Sequence, residues 1–412
     1  MMIYPRKIKK AILGQMTNDL AIVITGMRRV GKTFLLYDLF DSIKSKNKII
    51  LDLEKSEERL SLKEESYEAV RRNLEQLGLV LTEKRPGQKI PEKKRAYLFL
   101  DEIQLFKKAT SVIKYFIDHY HIKIIISGSS SFYLKNLFNE SLSGRKAVFE
   151  LFPLDFGEFL VFRRLYEGEW ANSFQDLEEL NTQMMSIKYQ SLFEEYLETG
   201  GFPQAVLVQN KEEAIRLLKD IFYSYLSIDV KTLSDFKGME ELEKTVKLLP
   251  VRIGQKIDYS KLSREVGISR ITLKNYLQFL NDTFVVNLIY PFSRSPDREI
   301  TKAPKLYFCD SALGDVLAPI SQGQRLENYV HNCLRSRFIL NYYQRKSGVE
   351  IDFILNKETG LEVKVFAQKS DYRRLKRVAY DLRLNPFYVC SQKVGENIEK
   401  GIFPAFLLGF LK

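Results

Sequence analysis

Residues 26–33 run Gly-Met-Arg-Arg-Val-Gly-Lys-Thr, a G-x-x-x-x-G-K-[ST] spacing. The motif directly follows an apolar run, Leu20–Thr25, and directly precedes a helical pattern, Thr33–Ser45. A strand, a glycine loop and a helix in that order converge backbone N–H groups on one point at a helix N-terminus, where an anion is stabilised. Gly26 and Gly31 admit phosphate close to the backbone. Lys32 is placed to neutralise β- and γ-phosphates, and the Thr33 hydroxyl to complete the shell of a magnesium ion. Gly26, Met27, Arg28, Arg29, Val30, Gly31, Lys32 and Thr33 are therefore the expected cofactor-binding set, with ATP and Mg as cofactors. An incidental glycine turn is the bland alternative, and the register of strand, loop and helix disfavours it.

A phosphate loop needs a partner carboxylate. Ala96-Tyr97-Leu98-Phe99-Leu100 is a buried-type strand that ends in Asp101-Glu102. Asp101 is expected to organise the magnesium and Glu102 to orient a water, the second carboxylate that a hydrolase needs. The pair could also simply cap the helix that follows. The next strand, Lys123–Ile126, runs into Ser127-Gly128-Ser129-Ser130-Ser131, where Ser127 or Ser129 is placed to sense a γ-phosphate. A serine-rich turn is an equally natural reading.

At 412 residues the chain exceeds one ordinary core. Four segments follow from the patterns: 1–155, alternating strands and helices; 156–235, helical; 236–300, a helix-turn-helix with a wing; and 301–412, strands around one helix. Runs bounded by turns and separated by helices predict a parallel sheet. Lys and Arg total 64 against 52 Asp and Glu, a net +12 that favours polyanions. Cys309, Cys333 and Cys390 lack metal-ligand spacing and suggest free thiols in a reducing cytoplasm. The longest apolar runs are too short to span a bilayer, so no membrane partner is expected.

Within 259–286, Leu262, Val266 and Ile268 would bury a first helix, Gly267 would turn the chain, and Ser269 would cap a longer helix. Leu273, Tyr276, Leu277 and Leu280 form its buried stripe, leaving Arg270, Thr272, Lys274, Asn275 and Gln278 toward solvent, as on a DNA recognition helix. Asn287–Phe292 would be the wing strand. A packing or protein-interaction role is the alternative. Further on, Ile351–Leu355 and Leu361–Val365 read as a hairpin in which Asp352, Glu362 and Lys364 share a face, with Glu327 nearby on a helix. Two carboxylates and a lysine there would bind a metal and polarise a water; a hairpin that merely carries charge is the alternative.

In order along the chain, Gly-Met-Arg-Arg-Val-Gly-Lys-Thr, Leu-Phe-Leu-Asp-Glu-Ile-Gln, Ser-Gly-Ser-Ser, Leu-Ser-Gly-Arg (142–145), Phe-Pro-Leu (152–154) and Gly-Gly-Phe-Pro (200–203) resemble prokaryotic, mainly archaeal, AAA-superfamily ATPases with a C-terminal domain of unknown function. The resemblance implies a multi-domain α/β fold: a P-loop NTPase sheet, a helical extension, a winged helix and a nuclease-like α/β domain. By analogy Arg145 is a candidate arginine finger or sensor, within the chain or on a neighbour in a homo-oligomer; a structural pairing with a carboxylate is the other option. The Asp352, Glu362, Lys364 pattern resembles restriction-endonuclease-like nucleases. The expected function is ATP hydrolysis coupled to a conformational change on DNA. Two alternatives stand beside it: a nucleotide-dependent switch with a non-cleaving C-terminal half, and a metal-dependent nuclease gated by ATP.

Overall fold

In a computed structural model of the chain, residues 4–63, 66–85, 91, 94–106, 108–128, 144–230, 238–293, 303–345, 347–393 and 400–412 are described. The backbone divides into two units: residues 1–152 with 282–284, and 153–281 with 285–412. Among the described residues no helix is long and apolar enough to cross a membrane.

The apolar runs of the first unit are strands of one parallel sheet: β1 (Ala21–Thr25), β2 (Lys48–Asp52), β3 (Ala96–Asp101), β4 (Ile122–Gly128) and β5 (Lys146–Glu150). Their order is β2-β3-β4-β1-β5. Every residue of β1, β3 and β4 is buried, as central strands of a sheet covered on both faces must be, while the edge strands β2 and β5 are partly exposed. The helices of this unit are α1 (Ile8–Leu13), α2 (Lys32–Ser42), α3 (Ser56–Leu60), α4 (Tyr67–Gln76) and α5 (Ala109–His119). Val70 and Leu74 of α4, and Val112, Ile113, Phe116 and Ile117 of α5, join sheet residues Leu98, Leu100, Ile122, Ile124 and Ile126 in one core. Each such large apolar side chain contributes roughly 1.5–3 kcal/mol on burial. The stretch 55–95 supplies α3 and α4.

The second unit opens with helices α6 (Phe156–Phe162), α7 (Phe174–Leu180), α8 (Gln183–Thr199), α9 (Pro203–Leu207), α10 (Lys211–Ser224) and α11 (Met239–Leu248). Next come α12 (Tyr259–Val266) and α13 (Arg270–Asp282), β6 (Val286–Pro291), β7 (Lys305–Phe308), α14 (Ser311–Leu317), α15 (Gln322–Leu334), β8 (Leu340–Gln344), β9 (Glu350–Leu355), β10 (Thr359–Phe366), α16 (Lys369–Asp381), β11 (Phe387–Lys393) and β12 (Ile402–Pro404). These strands make one mixed sheet in the order β12-β11-β10-β9-β8-β6-β7. The expected wing strand therefore does not stand apart. As β6 it pairs antiparallel with β7 and parallel with β8, inside the same sheet as the C-terminal strands.

The glycines of Gly-Gly-Phe-Pro have a packing reason. Gly200 ends α8 at φ +73, and a Cβ on Gly201 would lie 2.0 Å from the Leu154 carbonyl oxygen. The Gly201 N–H donates to Asp310 Oδ2 at 2.7 Å, while Asp310 Oδ1 accepts from Ala312 and Leu313 at the start of α14. The apolar run at the C-terminus becomes β12 and a 3-10 turn, Ala405–Phe410. Phe406 and Phe410 enter an aromatic cluster with Phe156, Tyr189 and Phe193.

Candidate nucleotide site and buried carboxylates

β1 delivers the chain to Gly26, whose φ of +149 and position admit no side chain, since a Cβ would lie 2.1 Å from the Leu151 carbonyl oxygen. Gly31 (φ 96) is the N-cap of α2 and offers no side chain to its first N–H groups. That leaves those groups and the positive end of the helix dipole for an anion. Lys32 is only 4% exposed, and its ammonium donates to the carbonyls of Gly26 and Met27, both at 3.0 Å. The lysine thus lies folded over the loop that would receive the phosphates. Met27 and Val30 are buried, so they could serve a nucleotide only through their backbone, whereas Arg29 is exposed and Arg28 half-buried. Sequence reasoning missed Arg6, whose guanidinium donates to Val30 O at 2.9 Å and Phe152 O at 2.8 Å and so braces the loop from behind. No local periodicity marks an arginine that acts on a loop over twenty residues away.

β3 ends in buried Asp101. Its Oδ1 accepts the Glu102 N–H at 3.1 Å and the Ser127 hydroxyl. Both bonds fall on Oδ1, so Oδ2 is the oxygen a cation would use. Glu102 takes left-handed backbone angles, φ 52 and ψ 49, and its carboxylate accepts from the Gln104 amide. Such angles cost a non-glycine residue of order 1 kcal/mol and recur where function requires a fixed side-chain direction. β4 lies between β1 and β3, which sets the loop strand and the carboxylate strand about 10 Å apart, with Ser127 from the intervening strand bonded to Asp101. Ser129 lies outside the described residues.

Two further carboxylates stand at this edge of the sheet. Asp52 is in register with Asp101 on the neighbouring strand. Glu54 is pushed above its usual pKa by burial, then by Glu102 and Asp52, against the pull of Arg28. The signal available in the sequence was their place just beyond a strand's C-terminal end, where open parallel sheets bind ligands. Among the described residues no group of three or more His, Cys, Asp or Glu is placed to hold a metal on its own. A magnesium bound with nucleotide draws most ligands from phosphates and water, and Thr33 with Asp101 fits the remainder.

Arg145 requires a correction. It directly precedes β5, and its carbonyl accepts from the N–H of Ala21, the first residue of β1. Register then runs from Ala21 opposite Lys146 to Thr25 opposite Glu150. Arg145 therefore sits at the far end of the sheet, about 16 Å of strand from the phosphate loop, with its Nε donating to Asp118 at 2.9 Å. No arginine side chain spans that distance, so it is no sensor of its own chain's nucleotide. Of Leu-Ser-Gly-Arg, only Gly144 and Arg145 are among the described residues.

In the second unit the structure brings Asp352, Glu362 and Lys364 together. The antiparallel ladder of β9 and β10 stops at Leu361 opposite Phe353, and one step on, Asp352 Oδ2 accepts the Val363 N–H at 2.8 Å. Glu362 is 3% exposed. Its Oε1 pairs with Lys364 at 2.7 Å and Arg374 at 2.6 Å, and its Oε2 is buried without a hydrogen-bond partner. Glu327 on α15 accepts from the Tyr307 hydroxyl at 2.6 Å and lies 3.4 Å from the ammonium of Lys305, which also pairs with Glu350. Burial drives all three carboxyls up. Asp352 adds to the effect at Glu362, and Glu327 rises to about 7 despite Lys305. Burial pulls Lys364 down, but Asp352 and Glu362 outweigh it and hold the ammonium above its usual value. Lys305, Glu350 and Arg374 were not singled out from sequence. Lys305, Lys364 and Arg374 are the counter-charges of these carboxylates in this arrangement.

The helix-turn-helix segment forms α12 and α13 with Gly267 ending the first, and Ser269 Oγ accepting the Thr272 N–H at 3.0 Å to cap the second. Leu262, Val266, Leu273, Tyr276, Leu277 and Leu280 are buried, and Ile268 is half-buried. Arg270, Lys274, Asn275 and Gln278 are exposed, while Thr272 is half-buried.

Residues 190–324 match a family described as a domain of unknown function (DUF8612). An uncharacterized protein of Methanocaldococcus jannaschii is 27% identical over 351 residues, covering 82% of this chain and 73% of that protein. One of Haemophilus influenzae is 24% identical over 377 residues, covering 89% and 84%. Among solved structures, a Walker-type ATPase of Pyrococcus abyssi aligns at a TM-score of 0.46 and 16% identity, covering 76% of this chain and 96% of that one. Residues 18–160 match the AAA domain family, and that match, with the loop and carboxylate geometry described above, supports a P-loop ATPase domain of the AAA type in this part of the chain.

Proposed function

We propose that this chain is a magnesium-dependent ATPase whose hydrolysis cycle drives a conformational change acting on DNA. The observation that carries the first half is the Lys32 ammonium, buried over the Gly26 and Met27 carbonyls at a helix start. On nucleotide binding, Lys32 exchanges those carbonyls for β- and γ-phosphate oxygens, and the Gly31–Thr33 N–H groups face the phosphates. Thr33 and Asp101 would hold the magnesium, which would supply charge neutralisation. Ser127 fixes Asp101, and Glu102, held in its left-handed turn, accepts a hydrogen bond from the attacking water and orients it. The test is direct. Lys32→Ala should lose nucleotide binding, whereas Glu102→Gln should keep binding and lose phosphate release. Full turnover in either variant overturns the assignment.

Action on DNA is supported by the exposed Arg270, Lys274, Asn275 and Gln278 on α13 and by the net charge of +12. Arg145, 42% exposed at its side chain, could contribute only to a neighbouring copy, which makes self-association a condition for that role. A second reading, a nucleotide-dependent switch whose C-terminal half cleaves nothing, is favoured by the pairing of Glu362 with Lys364 and Arg374. Three buried free cysteines accord with a cytoplasmic setting.

A further inference from the structure

Helix α16 concentrates positive charge that neither the nucleotide site nor α13 uses. From 369 to 383 the sequence carries six lysines and arginines against two aspartates, so this short stretch holds +4 of the chain's +12. The helix has already used its apolar side: Leu375, Val378 and Ala379 are buried with Ile351, Ile354 and Val389. Arg373, Lys376, Arg377 and Tyr380 remain outside at helical spacing, Tyr380 being 84% exposed. Among the described residues Arg373, Lys376 and Arg377 have no ion-pair partner. Arg374, on the same helix, pairs with Asp371 at 3.8 Å and with the buried Glu362, whose other oxygen is unpartnered.

Unpaired cations set about 6 Å apart, as Arg373 and Arg377 are along the helix axis, suit a polymer with evenly spaced negative charge. A lipid surface would call for an apolar face on the same helix, and this one has none left to offer. We propose that the exposed face of α16 docks the sugar–phosphate backbone of a nucleic acid. The surface extends the proposed action on DNA but does not require α13. Its contacts are electrostatic, so each phosphate it neutralises adds about 0.9 to the slope of log affinity against log salt.

The experiment measures anisotropy of labelled duplex DNA, single-stranded DNA and duplex RNA of one length, over a salt series, with the full chain. The variants are Arg373→Gln/Lys376→Gln/Arg377→Gln in α16 and, separately, Arg270→Gln/Lys274→Gln in α13. The α16 variant should bind at least one of the three at least tenfold more weakly, with a slope flatter by about 2–3 and with basal ATP turnover and melting temperature unchanged. The arm that responds identifies the nucleic acid. Unchanged affinity and slope on all three overturn the proposal. If only the α13 variant weakens, the helix-turn-helix reading stands and this one falls; if only the α16 variant weakens, the reverse holds. Should the triple variant melt lower, the single Arg377→Glu must weaken binding in the same direction.

Discussion

Arg6 braces the phosphate loop through two carbonyls, Val30 O within the loop and Phe152 O just beyond β5. Arg6→Ala removes both bonds from a partly buried setting, where each unmet carbonyl costs roughly 1–3 kcal/mol. Nucleotide affinity should fall at least tenfold while turnover at saturation changes little; calorimetric titration with ATP checks the first and phosphate release the second. Glu327 gives a pH prediction. Its folded-state pKa of about 7, against an ordinary 4.5, arises from burial, then Asp352, winning over Lys305. Between those values the folded state holds a proton that the unfolded state has lost. Stability should therefore fall as pH rises through that window and level off above it. Urea denaturation from about pH 5 to about pH 8 should show that slope, and Glu327→Gln should flatten it. Part of the slope should survive, because Asp352 and Glu362 are shifted in the same direction.

Elements differ in how far local sequence determines them. The phosphate loop was legible because its backbone tolerates so few residues: a Cβ at Gly26 would meet a carbonyl oxygen at 2.1 Å. The convergence of Asp352, Glu362 and Lys364 was legible because strand alternation fixes sidedness over a few residues. Arg145 was not, since its distance from the loop depends on the register of β5 against β1, two strands more than a hundred residues apart. The same holds for β6, whose wing-like pattern says nothing of the β8 strand it joins, and for Arg374, whose partner lies across α16 and β10. Asp310 is a further case, a residue with no motif that caps α14 and also receives the Gly201 N–H. Asp310→Ala loses a cap worth about 1 kcal/mol and strands a buried N–H at roughly 1–3 kcal/mol. The midpoint of thermal unfolding should drop by several degrees with nucleotide affinity unchanged; an unaltered midpoint would rule out the latch.

At the scale of the molecule, the nucleotide loop lies in the unit of residues 1–152 with 282–284, and the exposed cations of α13 and α16 lie in the unit of 153–281 with 285–412. A hydrolysis cycle can act on DNA only if nucleotide and DNA each change the other's affinity, and the two changes must be equal in free energy. Glu102→Gln, which should bind ATP without turning it over, isolates the ATP-bound state. Its affinity for DNA with and without ATP gives one coupling factor, and its affinity for ATP with and without DNA gives the other. For a cycle acting on DNA the two should agree and should exceed about fivefold, the lower end of ordinary coupling between sites. Equal DNA affinity in both nucleotide states would mean that the energy of hydrolysis is not delivered there. The chain would then be a switch whose nucleotide site speaks to some other partner, and the neutralised carboxylates around Glu362 would be at rest in the state that the structure describes.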